Sequence, residues 1–234
     1  MKLCVVTPTG KRPRMFPLCV RWVMQQHRPP DEWIISLGKD EDLGISEGLL
    51  PSYARVHRWN PDTIGQGMTG EVDGTTKYYL EVLRQAPPDH AIVWFDDDDW
   101  YGPSYLSVVE RELQRVDFTG NGLERRYCLR THRWMEIGKP GCNTGAIGMA
   151  PGTVPKWIEW AQDNTTKWDF FLQWFKIDLR NGAPRVSIKN GPTAPTWQHL
   201  FPPADHKWKK DAAPFAKLRE WIGPDASLYE ELMR

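Results

Sequence analysis

The chain has 234 residues and a mass of 27.1 kDa, which is enough for one large domain with a substantial core. Thirty lysine and arginine residues balance thirty aspartate and glutamate residues, so the net charge gives no argument for a nucleic acid or an anionic membrane as partner. Apolar residues make up 40% and charged residues 26% of the chain, and this composition excludes wholesale disorder.

Apolar stretches are short throughout the sequence. None approaches the roughly 18 residues that indicate a membrane-spanning helix, and the first apolar run, which begins at Leu3, is too short for a signal peptide. The four cysteines lack the C-x-x-C spacing of a zinc site and indicate no disulfide framework. We therefore expect a reduced, cytoplasmic protein without a membrane partner.

Strand and helix patterns alternate along the first half of the chain. The predicted strands are residues 3–7, 32–37, 53–57 and 91–95, and the predicted helices are residues 16–27 and 75–85. This order is typical of a parallel sheet with helices on both faces. Such sheets bind ligands at the carboxyl ends of their strands, and polar clusters follow three of these strands, at residues 7–14, 39–42 and 96–99.

The second half of the chain is less regular. It predicts strands near residues 127–130, 146–149 and 185–188 and helices near residues 154–162, 168–179 and 214–222. No linker separates it from the first half. We predict a single α/β domain over residues 1–234, with a Rossmann-like, mostly parallel central sheet flanked by helices and a mixed α+β second half.

The most informative segment is the run of four aspartates at residues 96–99, directly after an apolar strand. Adjacent carboxylates repel one another and raise each other's pKa. A hard divalent cation, Mg²⁺ or Mn²⁺, relieves this repulsion and is held by one or two carboxylates together with substrate phosphates. In an extended backbone Asp96 and Asp98 point to one side, whereas Asp97 and Asp99 point to the other.

Two other interpretations of this acidic run stay open. It forms a solvated turn that caps a helix beginning near Pro103, or it provides the paired aspartates of a phosphatase or phosphotransferase with Asp96 as the nucleophile. Phosphatases of that kind carry the motif on the first strand, whereas three predicted strands precede it here.

The segment Phe-Asp-Asp-Asp-Asp-Trp-Tyr-Gly-Pro-Ser-Tyr-Leu resembles the DXD segment of family 2-like glycosyltransferases with the GT-A fold, which use nucleotide-sugar donors. Val-Val-Thr-Pro-Thr at the first strand and Asp-Glu-Trp-Ile-Ile-Ser-Leu-Gly-Lys-Asp at the second are similar to that family's nucleotide-binding half. The resemblance covers residues 1–110 in good register and residues 140–180 more loosely. It implies one GT-A-like catalytic domain, with a nucleotide-sugar-binding half at residues 1–110 and an acceptor-side half at residues 111–234.

The resemblance also implies roles for individual residues on the donor side. Asp40 would contact the nucleotide base, Asp96 the ribose, and Asp98 the metal ion that bridges the diphosphate; Asp42 is equally eligible for the base, and Lys77 stands where the family usually has arginine. The donor is expected to be a nucleoside-diphosphate sugar, with UDP as the nucleotide. The residues expected at the nucleotide-sugar site are Thr7, Pro8, Thr9, Arg12, Arg14, Asp40, Lys77, Asp96 and Asp97. A solvated basic loop is the alternative for Arg12 and Arg14.

On the acceptor side the resemblance implies an inverting hexosyl transfer, in which a carboxylate takes the proton of the acceptor hydroxyl. Asp169, at the start of a predicted helix, is in the position of this general base, although Thr166 and Asp169 also match a helix capping box. His199 is expected as a further metal ligand, with His206 as the second choice. The residues expected at the acceptor are Trp100, Asn143, Thr144, Gly145 and Trp168.

Cations alternate with aromatic residues at residues 125–126, 130–134 and 206–210. This mixture suits nucleic-acid bases and phosphates, sugars, or a solvated surface. A small transferase with such patches resembles the phage-type enzymes that glycosylate hydroxymethylated pyrimidines in DNA, where the base is flipped out of the duplex. The acceptor is therefore expected to be a glycan, a small molecule or hydroxymethylated DNA.

Overall fold

The computed structural model describes residues 1–10, 12–60, 82–120, 124–137, 147–155, 177–178, 183–189 and 208–234. The helices in these ranges are Phe16–Met24 (α1), Tyr105–Leu113 (α2), Ala216–Ile222 (α3) and Ala226–Leu232 (α4). The strands are Leu3–Pro8 (β1), Glu32–Gly38 (β2), Ala54–Trp59 (β3), Ala91–Trp94 (β4), Trp100–Tyr101 (β5), Phe118–Thr119 (β6), Glu124–Cys128 (β7), Arg133–Ile137 (β8), Gly148–Met149 (β9), Ile177–Asp178 (β10), Arg185–Lys189 (β11) and Lys209–Lys210 (β12). None of the described helices has the length and hydropathy needed to cross a membrane.

The larger of two sheets has the strand order β10-β6-β9-β4-β1-β2-β3. Its four strands β4, β1, β2 and β3 run parallel, while β9 is antiparallel to both β4 and β6. All four residues of β4 and the first five of β1 are buried. Their almost entirely apolar sequences, broken only by Thr7, follow from this, since a parallel strand in the middle of an α/β sheet is covered on both faces.

The connections of β1 determine where a ligand fits. The chain leaves β1 towards β2 and β3 on one side of the sheet, and β4 returns on the other side of β1. At such a switch point the connections diverge and open a crevice beyond the carboxyl ends of the two strands. The loop after β1 and the aspartates after β4 both lie at this crevice.

The smaller sheet has the order β12-β8-β7-β11-β5. Its edge strand β5 begins directly after the aspartates and pairs antiparallel with β11, with Tyr101 opposite Arg185 and Trp100 opposite Val186. The four aspartates are therefore one of the segments that link the two sheets, bounded by β4 on one side and by β5 on the other.

The α/β class and the mostly parallel central sheet predicted from sequence are confirmed, and six of the predicted strands lie within two residues of β1, β2, β3, β4, β9 and β11. The helix predicted at residues 168–179 is wrong at its end, because β10 pairs there in parallel with β6. A two-residue strand has no periodicity of its own, so the pairing with β6 overrides the local helical pattern. The single domain and its division at residue 110 stay predictions.

The helix predicted at residues 16–27 ends early, at Met24. Beyond it, the backbone N–H of His27 donates to the carbonyl of Pro103 over 2.8 Å. The buried side chain of Gln26 holds the same junction: its amide nitrogen donates to the carbonyls of Trp22 and Gly102 (2.9 Å each), and its oxygen accepts from the N–H of Leu106 (3.0 Å). Gln26 thereby ties α1 to the start of α2 behind the aspartates.

Replacing Gln26 by alanine should lower the free energy of unfolding by about 3 kcal/mol, because it leaves backbone groups without their partners in a buried position. The matched control is Gln25→Ala, since the amide nitrogen of Gln25 has no hydrogen-bond partner among the described residues. Urea unfolding of both variants measures the difference. Equal stability losses would contradict the assigned role of Gln26.

Candidate functional site

The backbone that carries the four aspartates is anchored by an aromatic pair. The ring of Tyr101 stacks on Phe95 with a centroid separation of 3.6 Å. The N–H of Asp96 donates to the Tyr101 hydroxyl over 2.7 Å. Because both rings are fully buried, the strand ends before and after the aspartates are fixed to each other.

The loop after β1 provides the first cation of the site. Arg12 places Nη1 at 2.6 Å from Oδ1 of Asp97 and at 3.1 Å from Oδ2 of Asp98. Thr9 Oγ1 donates to the other oxygen of Asp97 over 2.6 Å. Asp97 is only 2% exposed, whereas Arg12 is 20% exposed. Asp97 therefore holds the β1 loop over the acidic segment, and part of the Arg12 guanidinium still faces the crevice.

The first residue of β11 provides the second cation. Arg185 Nη2 forms an ion pair with Oδ2 of Asp99 and lies 3.4 Å from Oδ2 of Asp96. The other oxygen of Asp99 accepts from the N–H of Ile188 over 2.8 Å. Arg185 and Asp99 are 1% and 0% exposed. The sequence analysis missed Arg185, since a lone arginine that begins a predicted strand carries no signal for a contact 86 residues away.

Burial and crowding weaken the acidity of two of the aspartates. Burial, assisted by the charge of Asp99, raises the pKa of Asp96 to about 7 although Arg185 opposes the shift. Burial also raises the pKa of Asp97 to about 6, against the opposing effect of Arg12. A further cation next to these carboxylates would favour their charged forms.

The arrangement fits a hard divalent cation. One carboxylate oxygen from each of Asp96, Asp98 and Asp99 lies within 4.8 Å of the others. Asp96 and Asp98 are 20% and 16% exposed, whereas both oxygens of Asp99 already accept hydrogen bonds. Two accessible carboxylates are the protein ligands that Mg²⁺ or Mn²⁺ takes when substrate phosphates complete its coordination.

Other residues predicted for the donor site lie along the same edge of the sheet. Thr7 is fully buried, with its hydroxyl accepting from Trp33 Nε1 over 2.9 Å, and Pro8 ends β1. Arg14 points elsewhere, since its Nη2 donates to the carbonyl of Leu232 at the end of α4 over 2.7 Å. The structure thus brings Thr9 and Arg12 to the aspartates and leaves Arg14 and the Thr7 side chain apart; their nucleotide contacts stay predictions.

Asp40 and Asp42 are both exposed in the turn after β2. Asp42 accepts from the N–H of Gly44 over 2.9 Å, while Asp40 forms no hydrogen bond or ion pair among the described residues. Arg58, at the end of β3, donates to the carbonyl of Glu41 over 3.0 Å and so supports the turn. The geometry leaves Asp40 as the better candidate for a nucleotide base, which keeps its role a prediction.

The acceptor-side prediction is less well covered by the structure. Trp100 is only 8% exposed, and its Nε1 donates to Asp225 over 3.0 Å, so the ring lies in the core rather than on an open surface. The remaining predicted site residues lie outside the described ranges: Lys77, Asn143, Thr144, Gly145, Trp168, Asp169, His199 and His206.

The second sheet gathers an aromatic–cation cluster, defined here as Trp134, Trp221, Arg125, Lys209 and Lys217. The two indole rings meet edge to face at 5.7 Å. Lys209 and Lys217 each place Nζ 4.7 Å from the Trp134 ring, and the Arg125 guanidinium lies 5.6 Å from the Trp221 ring. The cations alternating with aromatics in sequence thus meet in space, together with Trp221 and Lys217, which sequence analysis did not include.

Comparison with known proteins shows which fold the chain shares with solved structures. The sequence matches no protein-family model and no curated protein. Solved structures do match. Residues 1–349 of S. aureus TarS match with 12% identity and a TM-score of 0.55, over 80% of this chain and 60% of that chain. The mannosyltransferase PcManGT from Pyrobaculum calidifontis, in complex with GDP-Man and Mn²⁺, matches with 11% identity and a TM-score of 0.55, over 99% of this chain and 74% of that chain. TarS in complex with UDP-GlcNAc matches with a TM-score of 0.54 and 14% identity, over 81% of this chain and 59% of that chain.

The fold is that of the GT-A glycosyltransferases. The predicted fold class is thereby confirmed. The chain spans about three fifths of the length of the TarS structures. At this level of identity the likeness concerns the fold, and the chemistry has to be argued from the side chains.

Arg12 and Arg14 form a matched pair for testing the site without any ligand. Arg12→Gln should lower the free energy of unfolding of the metal-free protein by about 2 kcal/mol, because Asp97 is left buried without its cation. Arg14→Gln, which removes one exposed contact, should change it by no more than about 0.5 kcal/mol. Urea unfolding in EDTA measures both. A destabilisation of equal size in the two variants would contradict the pairing described for Arg12.

Proposed function

We propose that the protein is a glycosyltransferase that transfers a sugar, with inversion, from a nucleoside-diphosphate sugar to an acceptor hydroxyl and depends on a divalent metal ion. The observation that carries this proposal is the pair of accessible carboxylates, Asp96 and Asp98, at the switch point between β4 and β1 of a GT-A sheet. The complexes of similar folds support it, since TarS was solved with UDP-GlcNAc and the mannosyltransferase with GDP-Man and Mn²⁺. For this chain we propose UDP as the nucleotide and Mn²⁺ or Mg²⁺ as the metal.

Different residues of the crevice would contact different parts of the nucleotide-sugar donor. Asp98 and Asp96 would hold the metal ion, and Asp96 would also contact the ribose. A bound divalent cation would neutralise the charge that develops on the leaving diphosphate. Arg12 is partly exposed and next to Asp98, so it would turn one N–H towards a phosphate oxygen and add a second positive charge. Asp40, at the end of β2, would select the nucleotide base.

The acceptor is deprotonated as its oxygen attacks the anomeric carbon. The new carbon–oxygen bond forms as the bond to the diphosphate breaks, and the acceptor proton passes to a carboxylate. We propose Asp169 for this base and His199 for an additional metal contact, both on the family resemblance.

The donor side can be tested by melting shifts with a panel of nucleotide sugars in the presence of Mn²⁺. Asp98→Asn should abolish the metal-dependent shift and lower transfer at least about a hundredfold, because a neutral amide cannot replace a charged ligand. The matched control is Asp89→Asn, since Asp89 is an exposed carboxylate at the opposite end of β4. An unchanged shift in Asp98→Asn, or an equal loss in Asp89→Asn, would refute the proposed metal site.

Asp169→Asn separates donor binding from chemistry. A lost general base should lower transfer about a hundredfold or more while the melting shift with the donor remains. If Asp169 only caps a helix, the variant should instead melt earlier and keep its activity per folded molecule. In the same assays, turnover of a generic aryl phosphate without any acceptor would favour the phosphatase alternative with Asp96 as nucleophile.

We also propose one acceptor class, hydroxymethylated pyrimidines in DNA, on the strength of two exposed cations that lie next to the aromatic–cation cluster in sequence. Arg133 and Lys210 face each other across the β8–β12 pair, are exposed, and form no ion pair with a carboxylate in the described part of the chain. Like charges opposite each other on antiparallel strands are unfavourable, so a bound phosphate would relieve them. Stacking rings next to such cations suit nucleotides.

Replacing Arg133 and Lys210 together by glutamine should weaken retention on duplex DNA and flatten its dependence on salt, because each lost phosphate contact reduces counterion release. The control is the double variant Arg111→Gln/Arg115→Gln, which removes the same charge from two exposed arginines, one on α2 and one just after it. DNA binding that is absent in the unmodified protein, or that is lost equally in both variants, would leave a glycan or a small molecule as acceptor.

A further inference from the structure

Arg185 is an unusual cation for the centre of a metal site. Its side chain is 1% exposed, and it contacts both Asp99 and Asp96 through Nη2. Its guanidinium also lies 5.7 Å from the ring of Tyr101. The Nε of Arg185 is buried and has no hydrogen-bond partner among the described residues. Both ion pairs of this guanidinium are therefore with aspartates of the acidic segment.

The ion pair between Arg185 and Asp99 affects which aspartates can bind a metal ion. Asp99 has an oxygen within 4.8 Å of oxygens of Asp96 and Asp98, so a small side-chain rotation would let it join them on one cation. In the structure both of its oxygens are occupied, by Arg185 and by the N–H of Ile188. Three carboxylates lie close enough to be ligands; Asp96 and Asp98 are 20% and 16% exposed and can be reached by a cation, whereas Asp99 is fully buried.

We propose that Arg185 withholds Asp99 from the metal ion, so that the site binds its metal through two carboxylates and holds it tightly only when the donor's diphosphate is present. This inference rests on the proposed function. The affinity for a hard cation rises with the number of charged ligands, and a fixed guanidinium nearby lowers it further by repulsion. Binding of metal and donor is then coupled, since each supplies charge that the other needs.

The chemistry of arginine suits this role. Its guanidinium stays protonated even when buried and presents several N–H donors in a fixed plane. Burial lowers the pKa of Arg185, but the neighbouring acidic groups, Asp99 foremost, together raise it well above its usual value. Because Arg185 belongs to the second sheet and Asp96 and Asp98 lie at the end of the first, the pairing of β5 with β11 sets the position of the cation.

The experiment measures the binding of Mn²⁺ alone, by the paramagnetic resonance signal of the free ion, and repeats it with UDP. The unmodified protein should bind Mn²⁺ weakly alone and more tightly with UDP. Arg185→Gln frees Asp99, so it should bind Mn²⁺ alone at least about tenfold more tightly, and UDP should add less. The double variant Arg185→Gln/Asp99→Asn lacks the third carboxylate and should return to weak binding. A merely structural role for Arg185 predicts a lower melting temperature with unchanged or weaker Mn²⁺ binding.

Arg185→Gln leaves Asp99 buried without its cation and so risks misfolding. Asp99→Asn and the double variant both lack Asp99 and avoid that problem. In Asp99→Asn the released Arg185 has Asp96 as its remaining partner, so this variant should bind Mn²⁺ several-fold more weakly than the double variant. Arg185→Lys keeps the charge and should keep Mn²⁺ binding as weak as in the unmodified protein.

The outcomes separate the two proposals. Failure of the unmodified protein to bind Mn²⁺ with or without UDP would overturn the proposed metal-dependent function. Binding in the unmodified protein, combined with equally weak binding in a folded Arg185→Gln, would overturn only the role of Arg185. Equal Mn²⁺ affinities in Asp99→Asn and in the double variant would also overturn only the role of Arg185.

Discussion

The repulsion among four consecutive carboxylates is the constraint on which this structure depends. Two guanidinium groups offset part of it, Arg12 from the loop after β1 and Arg185 from the start of β11. These cations come from opposite parts of the chain and from two different sheets. The aspartates therefore connect the sheets electrostatically as well as covalently, and the local fold is coupled to the charge state of the site.

The two arginines also give neighbouring aspartates different properties. Asp97 and Asp99 are almost completely buried and each has an arginine as its close partner, whereas Asp96 and Asp98 stay partly exposed. The alternation expected for an extended backbone does not explain this division, because Asp97 and Asp98 lie in a turn; it comes from the burial of Asp97 and Asp99 against the two arginines. It turns a uniform acidic run into two structural residues and two that remain accessible to a cation.

Most of the described tryptophans serve the core that supports this arrangement. Trp22 stacks on Tyr229 at 6.2 Å and donates to its hydroxyl over 3.1 Å, which packs α1 against α4. Trp100 packs edge to face on Trp22, and its Nε1 donates a hydrogen bond to Asp225. Trp134 and Trp221 differ, since their partners are cations on the surface of the second sheet. The same residue type thus has two roles, and only the surroundings distinguish them.

The sequence by itself determined the parallel strands, whose apolar runs reflect burial on both faces, and the acidic segment at the end of β4, whose charge density is visible without any contact. It also indicated Arg12, because a loop at the end of β1 must lie beside the end of β4 once the strands are parallel. Only the tertiary structure decided that Arg14 turns away to α4, that Trp100 is buried, and that Arg185 is the partner of Asp99. The reason is physical: burial patterns are periodic and local, whereas an ion pair between residues 86 positions apart depends on the antiparallel pairing of β5 with β11, and nothing in either short strand specifies that pairing before the chain folds.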